Sequence, residues 1–375
     1  MNNLKKLGDY IAEVDVKNTN LKVDLLLGVS IDKEFIDSHA NTVGTDFSGY
    51  KIVKKGQFAY GPVTSRNGDK ISVALLKEAD ECLVSSSYSP FEITKKDELL
   101  PEYLMLIFSN PEFDRYARYN SWGSAREVFS WDEMCNTYIN VPPLDEQKNI
   151  VGKFDDINRK IDISLKKKEE LYQYLNSLFT SINSDSSKIE FEDVSLTDNS
   201  VCQAIKSGIN RFDNEKKYYA TSDIENDYFC SEGVNVSLKD RPSRANMQPS
   251  EYSIWFAKMK NTRKIISFEP GDENLDAILS TGFYGLKVEE DYFYYFWSFI
   301  CNPNFEATKD LECNGTTQEA LNDDGAKKIT ISIPYRSEII ILNKQLKAIY
   351  DYISVINKEV FLLRKLKSEY LKQLF

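Results

Sequence analysis

The sequence is poor in the residues that build metal sites and catalytic nucleophiles. It has one histidine, His39, and six scattered cysteines without a C-x-x-C pair. A structural zinc site uses about four Cys or His ligands, so we predict no metal site. A Ser-His-Asp or Cys-His arrangement would have to use His39, which lies in a polar stretch typical of the surface. The isolated cysteines are typical of reduced thiols and favour a cytoplasmic location.

Phosphate-binding motifs and long apolar runs are also missing. No G-x-x-x-x-G-K-[ST] occurs, and no G-x-G-x-x-G follows a predicted strand, so nucleotide hydrolysis and dinucleotide binding have no support. No run of about 18 apolar residues is present, and the N-terminus lacks the apolar core of a signal peptide. We therefore predict no cofactor, no membrane association and no catalytic residue.

The sequence has fewer basic than acidic residues. The 58 Asp and Glu residues outnumber the 47 Lys and Arg residues, and the net charge is −11. This balance argues against nucleic acid as a partner, because phosphate contacts need Lys and Arg. The objection weakens if the basic residues cluster on one face, or if a partner supplies part of the positive surface.

The stretch Val141–Ile182 predicts a long helix. Two prolines precede it, and Asp145 is a candidate N-cap. The apolar residues that follow have heptad spacing, although Ser164 and Lys168 interrupt the series. These apolar residues are Ile150, Phe154, Ile157, Ile161, Leu171, Leu175 and Leu178.

A second long helix is predicted at the C-terminus, where the heptad spacing is more regular. Its apolar residues are Leu342, Leu346, Ile349, Ile353, Ile356, Val360, Leu363, Tyr370 and Leu374. We predict that the two helices, over residues 145–182 and 339–375, form an antiparallel coiled coil. The first ends in YLNSLF at Tyr174–Phe179 and the second in YLKQLF at Tyr370–Phe375, an offset of 375 − 179 = 196.

Further matches upstream indicate a tandem duplication. The matched segments are Asn110–Phe113 with Asn302–Phe305, Gly123–Glu127 with Gly315–Glu319, and Ile139–Pro142 with Ile331–Pro334, all at an offset of 302 − 110 = 192. Ser85–Tyr88 also faces Ser280–Phe283 at an offset of 280 − 85 = 195. The difference 196 − 192 = 4 predicts four extra residues before the second helix.

Each half therefore reads as a globular segment followed by a long helix. Both globular segments mix strand patterns, such as Lys70–Leu76 and Ser253–Ala257, with helix patterns. The helix patterns lie at Pro101–Phe108 and around Trp131–Cys135 in the first segment and at Asp291–Cys301 in the second. The predicted fold class is α+β, with two tandem mixed α/β domains separated by the two helices. The predicted boundaries are 1–143 for the first domain, 144–187 for the first helix, 188–336 for the second domain and 337–375 for the second helix.

This arrangement resembles the specificity (S) subunit of Type I restriction–modification systems. The residues that carry the resemblance are the V-P-P-L-D-E-Q run at Val141–Gln147, the G-x-x-[RQ]-E segments at Gly123–Glu127 and Gly315–Glu319, Ser280–Phe283 and Arg241–Ala245. The resemblance implies that each globular segment is a target recognition domain reading one half of a split site in double-stranded DNA. It also implies a non-catalytic subunit that docks two adenine methyltransferase (M) subunits, which motor–nuclease (R) subunits join.

DNA recognition requires basic and amide side chains on loops. Arg suits guanine, Asn or Gln suits adenine, and Lys, Ser or Thr suits phosphate. The candidates in the first domain are Arg66, Asn67, Lys70, Ser124 and Arg126. Those in the second domain are Arg241, Arg244, Lys258, Lys260, Arg263, Thr316, Thr317 and Gln318. For any one residue, a solvated charge or a helix cap explains the sequence as well as DNA contact does, but the recurrence of the two matched loops favours contact.

Two other functions fit parts of the sequence. The first is an assembly or interaction protein whose coiled coil and acidic domains bind other proteins without DNA specificity. The second is the specificity subunit of a system with fused methyltransferase and nuclease. An enzyme has the least support, because no methyltransferase motif, nuclease cluster or phosphate loop is recognisable.

Overall fold

The computed structural model describes residues 4–38, 44–65, 67–68, 70–123, 126–184, 190–197, 200–316 and 318–374. His39 and three of the DNA-contact candidates, Arg66, Ser124 and Thr317, lie outside the described residues. In the part that is described, no helix combines the length and the apolar character needed to cross a membrane.

The chain mixes helices and strands, as the predicted α+β class requires. In chain order the α-helices are α1 (Pro101–Phe108), α2 (Pro111–Tyr119), α3 (Trp131–Asn136), α4 (Leu144–Ser184), α5 (Phe293–Cys301), α6 (Pro303–Leu311), α7 (Asp323–Lys328) and α8 (Arg336–Lys372). The predicted helix at Pro101–Phe108 is confirmed residue for residue. Helices α2 and α6 were not predicted, although Asn110 and Asn302 cap them with their side chains.

The chain divides into two compact units. The first unit contains Met1–Lys160 and Leu363–Phe375, and the second contains Ile161–Leu362. Each unit therefore combines one globular segment with parts of both long helices. The boundaries predicted for recognition domains and helices stay a prediction of functional organisation.

The first unit is built on a four-stranded antiparallel sheet, which helix α1 contacts. The strands are β1 (Leu4–Lys6), β2 (Ile11–Glu13), β3 (Leu27–Val29), β4 (Phe35–Asp37), β5 (Lys51–Lys54), β6 (Phe58–Gly61), β7 (Ser72–Leu75), β8 (Glu81–Val84), β9 (Ser89–Ile93) and β10 (Tyr138–Asn140). The main sheet has the order β2-β9-β6-β7, and β1-β10, β3-β4 and β5-β8 are two-stranded sheets.

The second unit repeats this plan and adds a second four-stranded sheet. Its strands are β11 (Phe191–Ser195), β12 (Cys202–Ala204), β13 (Lys216–Tyr219), β14 (Ile224–Glu225), β15 (Tyr228–Phe229), β16 (Val234–Val236), β17 (Ala245–Met247), β18 (Ser253–Ala257), β19 (Ile265–Phe268), β20 (Ile278–Ser280), β21 (Phe283–Val288) and β22 (Thr330–Pro334). The order β12-β21-β18-β19 corresponds to β2-β9-β6-β7, and β11-β22 corresponds to β1-β10. The additional sheet has the order β16-β13-β20-β17.

Helix α5 supplies aromatic residues to the core of the second unit. Tyr295, Phe296 and Trp297 are all buried. The Trp297 ring lies 5.0 Å from the Tyr350 ring of α8, and the Tyr295 ring lies 5.3 Å from the Phe179 ring of α4, measured between centroids. The interpretation of this aromatic run as core is therefore correct, since side chains this buried cannot stack on bases.

In each unit the two long helices run antiparallel. In the second unit, Ser164 Oγ donates to Glu359 Oε2 at 2.9 Å and Lys168 Nζ donates to Asn357 Oδ1 at 2.9 Å. In the first unit, Lys367 Nζ donates to Asn158 Oδ1 at 2.8 Å, and the Phe154 and Tyr370 rings are in contact. Partner numbers fall as residue numbers rise, which defines an antiparallel pair.

The first residues of the two long helices differ from two predictions, the N-cap of the first helix and the position of the four extra residues. Helix α4 begins at Leu144, so Asp145 lies within its first turn and is not its N-cap. Helix α8 begins at Arg336, and 336 − 144 = 192, the offset of the upstream repeat. The four extra residues therefore lie within α8 and do not precede it. Four residues are close to one turn of about 3.6 residues, so the helix keeps its buried face.

The two interruptions of the first heptad series hold buried polar contacts. Lys168 Nζ donates to Asp227 Oδ1 at 2.7 Å, and Tyr172 Oη donates to Asp227 Oδ2 at 2.7 Å. Asn357 Nδ2 donates to the main-chain oxygen of Asp227 at 3.1 Å. We call these four residues the Asp227 cluster. Burial raises the pKa of Tyr172 well above its usual value, so its hydroxyl remains a donor at neutral pH.

We expect Asp227→Ala to lower the free energy of unfolding by about 3–5 kcal/mol, because it leaves Lys168 buried without its counter-charge. The side chains of Lys168 and Asp227 are only 10% and 9% exposed. Urea denaturation followed by circular dichroism measures the change. The control is Asp276→Ala, which removes an ion pair with Lys216 whose carboxylate is 80% exposed. That change should cost about 0–1 kcal/mol, and equal effects of the two variants would contradict the prediction.

Candidate nucleic-acid interface

The first G-x-x-[RQ]-E segment forms a tight loop. The main chains of Trp122 and Val128 exchange two hydrogen bonds of 3.1 and 3.0 Å. Between them Gly123 has a φ of 140°, and a Cβ placed there would lie 2.1 Å from the carbonyl oxygen of Arg126. The loop therefore requires glycine at this position. Arg126 is exposed.

The second segment repeats this geometry. The main chains of Asn314 and Ala320 exchange hydrogen bonds of 3.0 and 3.1 Å. Gly315 has a φ of 137°, and a Cβ would lie 2.4 Å from the carbonyl oxygen of Gln318. Thr316 and Gln318 are exposed, and Gln318 occupies the position of Arg126. The sequence repeat is therefore a repeat of loop conformation.

Each loop lies beside a hairpin loop of the main sheet. In the first unit, Thr64 N donates to the carbonyl oxygen of Glu127 at 2.9 Å. In the second unit, Lys260 N donates to the carbonyl oxygen of Glu319 at 3.0 Å. We call residues 62–71 with 122–128 the first loop pair, and residues 258–264 with 314–320 the second loop pair. In each loop pair a main-chain hydrogen bond joins the two loops.

The equivalent helices α2 and α6 hold the hairpin loops in place. Asp114 of α2 accepts hydrogen bonds from Ile71 N at 3.0 Å and from the buried Lys33 Nζ at 2.6 Å. Asp310 of α6 accepts one from Asn261 N at 3.1 Å. Its neighbour Lys309 is buried and donates to main-chain oxygens of the second hairpin loop, including that of Thr262 at 3.0 Å. Both loop pairs are therefore supported by fixed contacts.

A glutamate in each loop pairs with a nearby basic residue. Glu127 forms an ion pair with Arg118, and Glu319 forms one with Lys260 at 2.7 Å. The hydrogen bond to Glu319 raises the pKa of Lys260. These ion pairs explain why a glutamate recurs in both segments, because each glutamate binds a basic residue outside its own loop.

Among the remaining candidates of the first unit, Asn67 turns inward and Lys70 outward. Asn67 Nδ2 donates to the carbonyl oxygen of Val63 and to Ser72 Oγ, each at 3.1 Å, which stabilises the hairpin loop. Lys70 is exposed and forms a surface ion pair with Asp32 at 2.8 Å. Arg126 and Lys70 are thus the exposed described candidates in this unit.

In the second unit, two of the basic candidates make contacts inside the protein. Lys258 is half-buried with its ammonium group 5.8 Å from the centre of the Tyr284 ring, and burial lowers its pKa. Arg263 Nη2 donates to the carbonyl oxygen of Cys301 at 3.1 Å, and its guanidinium lies over the Tyr172 ring. Both side chains support the hairpin loop from within.

Arg241 and Arg244 lie before strand β17. Arg241 Nη1 donates to the carbonyl oxygen of Ala245 at 2.5 Å, and its Nε is buried without a partner among the described residues. Arg244 is exposed, while its main-chain oxygen accepts a hydrogen bond from Thr281 N at 2.8 Å. The R-P-S-R-A and S-T-G-F segments, both singled out in the sequence, are therefore in contact.

Sequence reasoning missed two apolar residues on this surface. Trp122 is 66% exposed at the base of the first loop, and Met259 is 45% exposed on the second hairpin loop. The signal available was their place beside the repeated glycine segments. Over the described residues, no group of three or more His, Cys, Asp or Glu side chains could hold a metal ion.

We expect Gly123→Ala and Gly315→Ala each to destabilise the protein by about 1–3 kcal/mol, because an alanine at that φ is strained and its Cβ meets a carbonyl oxygen. The matched control is Gly152→Ala, in an exposed part of α4 with no atom within 4 Å of the new Cβ. Alanine in a helix is favoured over glycine, so this control should gain about 0.5–1 kcal/mol. Thermal unfolding measures all three, and a neutral result at both loop glycines would contradict the loop geometry.

One family model matches the first part of the chain. Residues 11–173 match the family model for the Type I restriction modification DNA specificity domain. No curated protein is significantly similar in sequence.

Solved structures extend the likeness to the rest of the chain. The Type-I restriction-modification system S subunit from M. genitalium aligns with 99% of this chain and 95% of its own, at 12% identity and a TM-score of 0.55. The HsdS subunit from Thermoanaerobacter tengcongensis aligns with 99% of this chain and 96% of its own, at 13% identity and a TM-score of 0.37.

A structure on the assembly and conformational transition of the type I R-M system aligns with 99% of this chain and 96% of its own, at 14% identity and a TM-score of 0.43. The M. genitalium match shows that the whole chain has the fold of an S subunit. The predicted resemblance is confirmed: residues 11–173 match the model of the Type I restriction modification DNA specificity domain, and nearly the full length of the chain has a fold similar to that of the M. genitalium S subunit.

Proposed function

We propose that this chain is a non-catalytic subunit that recognises a two-part target in double-stranded DNA. The observation that carries the proposal is the repetition of one loop pair, with the same glycine conformation and flanking main-chain hydrogen bonds, in both units. Each pair presents a polar side chain at the same point, Arg126 in the first unit and Gln318 in the second. Two copies of one recognition surface suit a target with two half-sites.

The chemistry of the exposed residues fits base recognition. The Arg126 guanidinium can donate two hydrogen bonds to guanine, and the Gln318 amide can pair with the donor and acceptor of adenine. Thr316, Lys70 and Arg244 are exposed and are assigned to phosphate contacts. Asn67, Lys258 and Arg263 are assigned to shaping the loops, because their side chains already have partners within the protein.

The charge of the chain favours a shared DNA-binding surface. Acidic residues outnumber the Lys and Arg that phosphate contacts need, giving a net charge of −11, and Lys260 is already paired with Glu319. We infer that two M subunits supply much of the positive surface, and that R subunits join this complex for restriction. The same subunit would serve a system in which methyltransferase and nuclease are fused.

Helix α8 offers a surface for such docking. Its large apolar side chains at Ile341, Tyr352, Val355 and Leu362 are 69%, 48%, 60% and 62% exposed. Their spacings of 11, 3 and 7 residues place them on one helix face. The same face also favours the second candidate, a coiled-coil assembly protein without DNA specificity. Salt-sensitive, sequence-specific DNA binding by the complex separates the two functions.

The test is co-expression of the chain with its methyltransferase subunit, followed by mapping of methylated adenines in the host DNA. We expect Arg126→Ala to relax one half-site and Gln318→Ala the other, each by about 5- to 150-fold, since a bidentate base contact contributes about 1–3 kcal/mol. The matched conservative variants are Arg126→Lys and Gln318→Asn. Relaxation of both half-sites by one variant, or of neither half-site by either variant, would refute the assignment.

A further inference from the structure

Two apolar side chains stand out by their exposure. Tyr119 is 80% exposed and Leu311 is 83% exposed, the highest values among the large apolar side chains of the described residues. They occupy equivalent positions, because 311 − 119 = 192 is the offset of the repeat. Tyr119 is the last residue of α2, and Leu311 is the last residue of α6.

Single exposed apolar residues are common on protein surfaces and need no explanation. Here the two most exposed ones recur at the same place in both units, although the residue types differ. The folded core does not use either side chain, so packing does not account for an apolar residue at both positions. A shared role at the surface does account for it.

Their position connects them to the loop pairs. Each residue precedes its glycine loop by three positions, since that loop starts at Trp122 in the first unit and at Asn314 in the second. Further apolar surface lies on the same loop pairs, at Trp122 in the first unit and Met259 in the second. Each unit therefore has exposed apolar side chains on its loop pair and three residues before its glycine loop, which carries Arg126 or Gln318.

We propose that Tyr119 and Leu311 make the apolar contact between each loop pair and the bases of its own DNA half-site. This inference rests on the proposed function. Apolar groups on bases are the thymine methyl group in the major groove and the base faces that a wedge exposes at an unstacked step. A tyrosine in one unit and a leucine in the other give the two half-sites different apolar partners.

The experiment uses the full chain assembled with its M subunits and a duplex carrying the mapped two-part site. Tyr119→Ala and Leu311→Ala should each weaken specific binding about 5- to 100-fold, with the loss confined to one half-site. Tyr119→Phe and Leu311→Met keep the apolar contact and should bind within about 3-fold of the natural chain. Binding to a duplex of unrelated sequence should be unchanged.

Matched controls come from exposed residues away from the loop pairs. Tyr138 on β10 and Val234 on β16 are each 61% exposed. Tyr138→Ala and Val234→Ala should leave DNA binding unchanged. Thermal unfolding should be unchanged in all four alanine variants, because none of these side chains is buried.

The outcomes separate the inference from the proposed function. If the complex containing the natural chain recognises no DNA sequence, the proposed function fails. If it recognises the site and the two alanine variants bind as well as the natural chain, the inference alone is overturned. It is overturned too if these variants lose the M subunits and not the DNA, since Tyr119 and Leu311 would then belong to a protein-docking surface.

Discussion

The contacts of the buried Asp227 carboxylate fix how the two long helices pair in the second unit. A charge with so little contact with water is tolerated only if hydrogen bonds and a counter-charge replace that water. Lys168 and Tyr172 of α4 supply them, and Asn357 of α8 binds the same residue. All three contacts form together in only one helix register. Apolar residues alone would tolerate a shift by one heptad, whereas this cluster would not.

Much of the helical framework could be predicted from the sequence, because heptad spacing and flanking prolines are local signals. The interruptions at Ser164 and Lys168 could not be interpreted, because their partners lie far away in the sequence. The extra turn within α8 could not be placed either. An insertion of about one turn keeps the apolar face, so it leaves no break in the heptad pattern. The Asn-Pro pairs at the starts of α2 and α6 are typical helix starts, with Asn as the N-cap and Pro in the first turn.

The positions of the two loops could be predicted from the sequence, whereas the directions of most of their side chains could not. Gly123 and Gly315 marked the two loops, since a glycine within a polar segment indicates unusual backbone conformation. The direction of a basic side chain depends on contacts that the sequence does not display. Lys258 lies over an aromatic ring and Arg263 donates to a carbonyl oxygen, so their charge serves the fold. Surface position, more than residue type, separates them from Arg126.

In the two loop pairs, the residues that maintain the backbone conformation differ from those proposed to contact DNA. The glycines and the glutamates Glu127 and Glu319 recur because the backbone conformation and the ion pairs demand them in both units. The residues just before each glutamate carry no such constraint, and there Arg126 faces Gln318. A guanidinium only donates hydrogen bonds, whereas an amide both donates and accepts. Under the proposed function, similar glycine conformation in the two loops with unlike side chains means that the two half-sites are read in a similar way but differ in sequence.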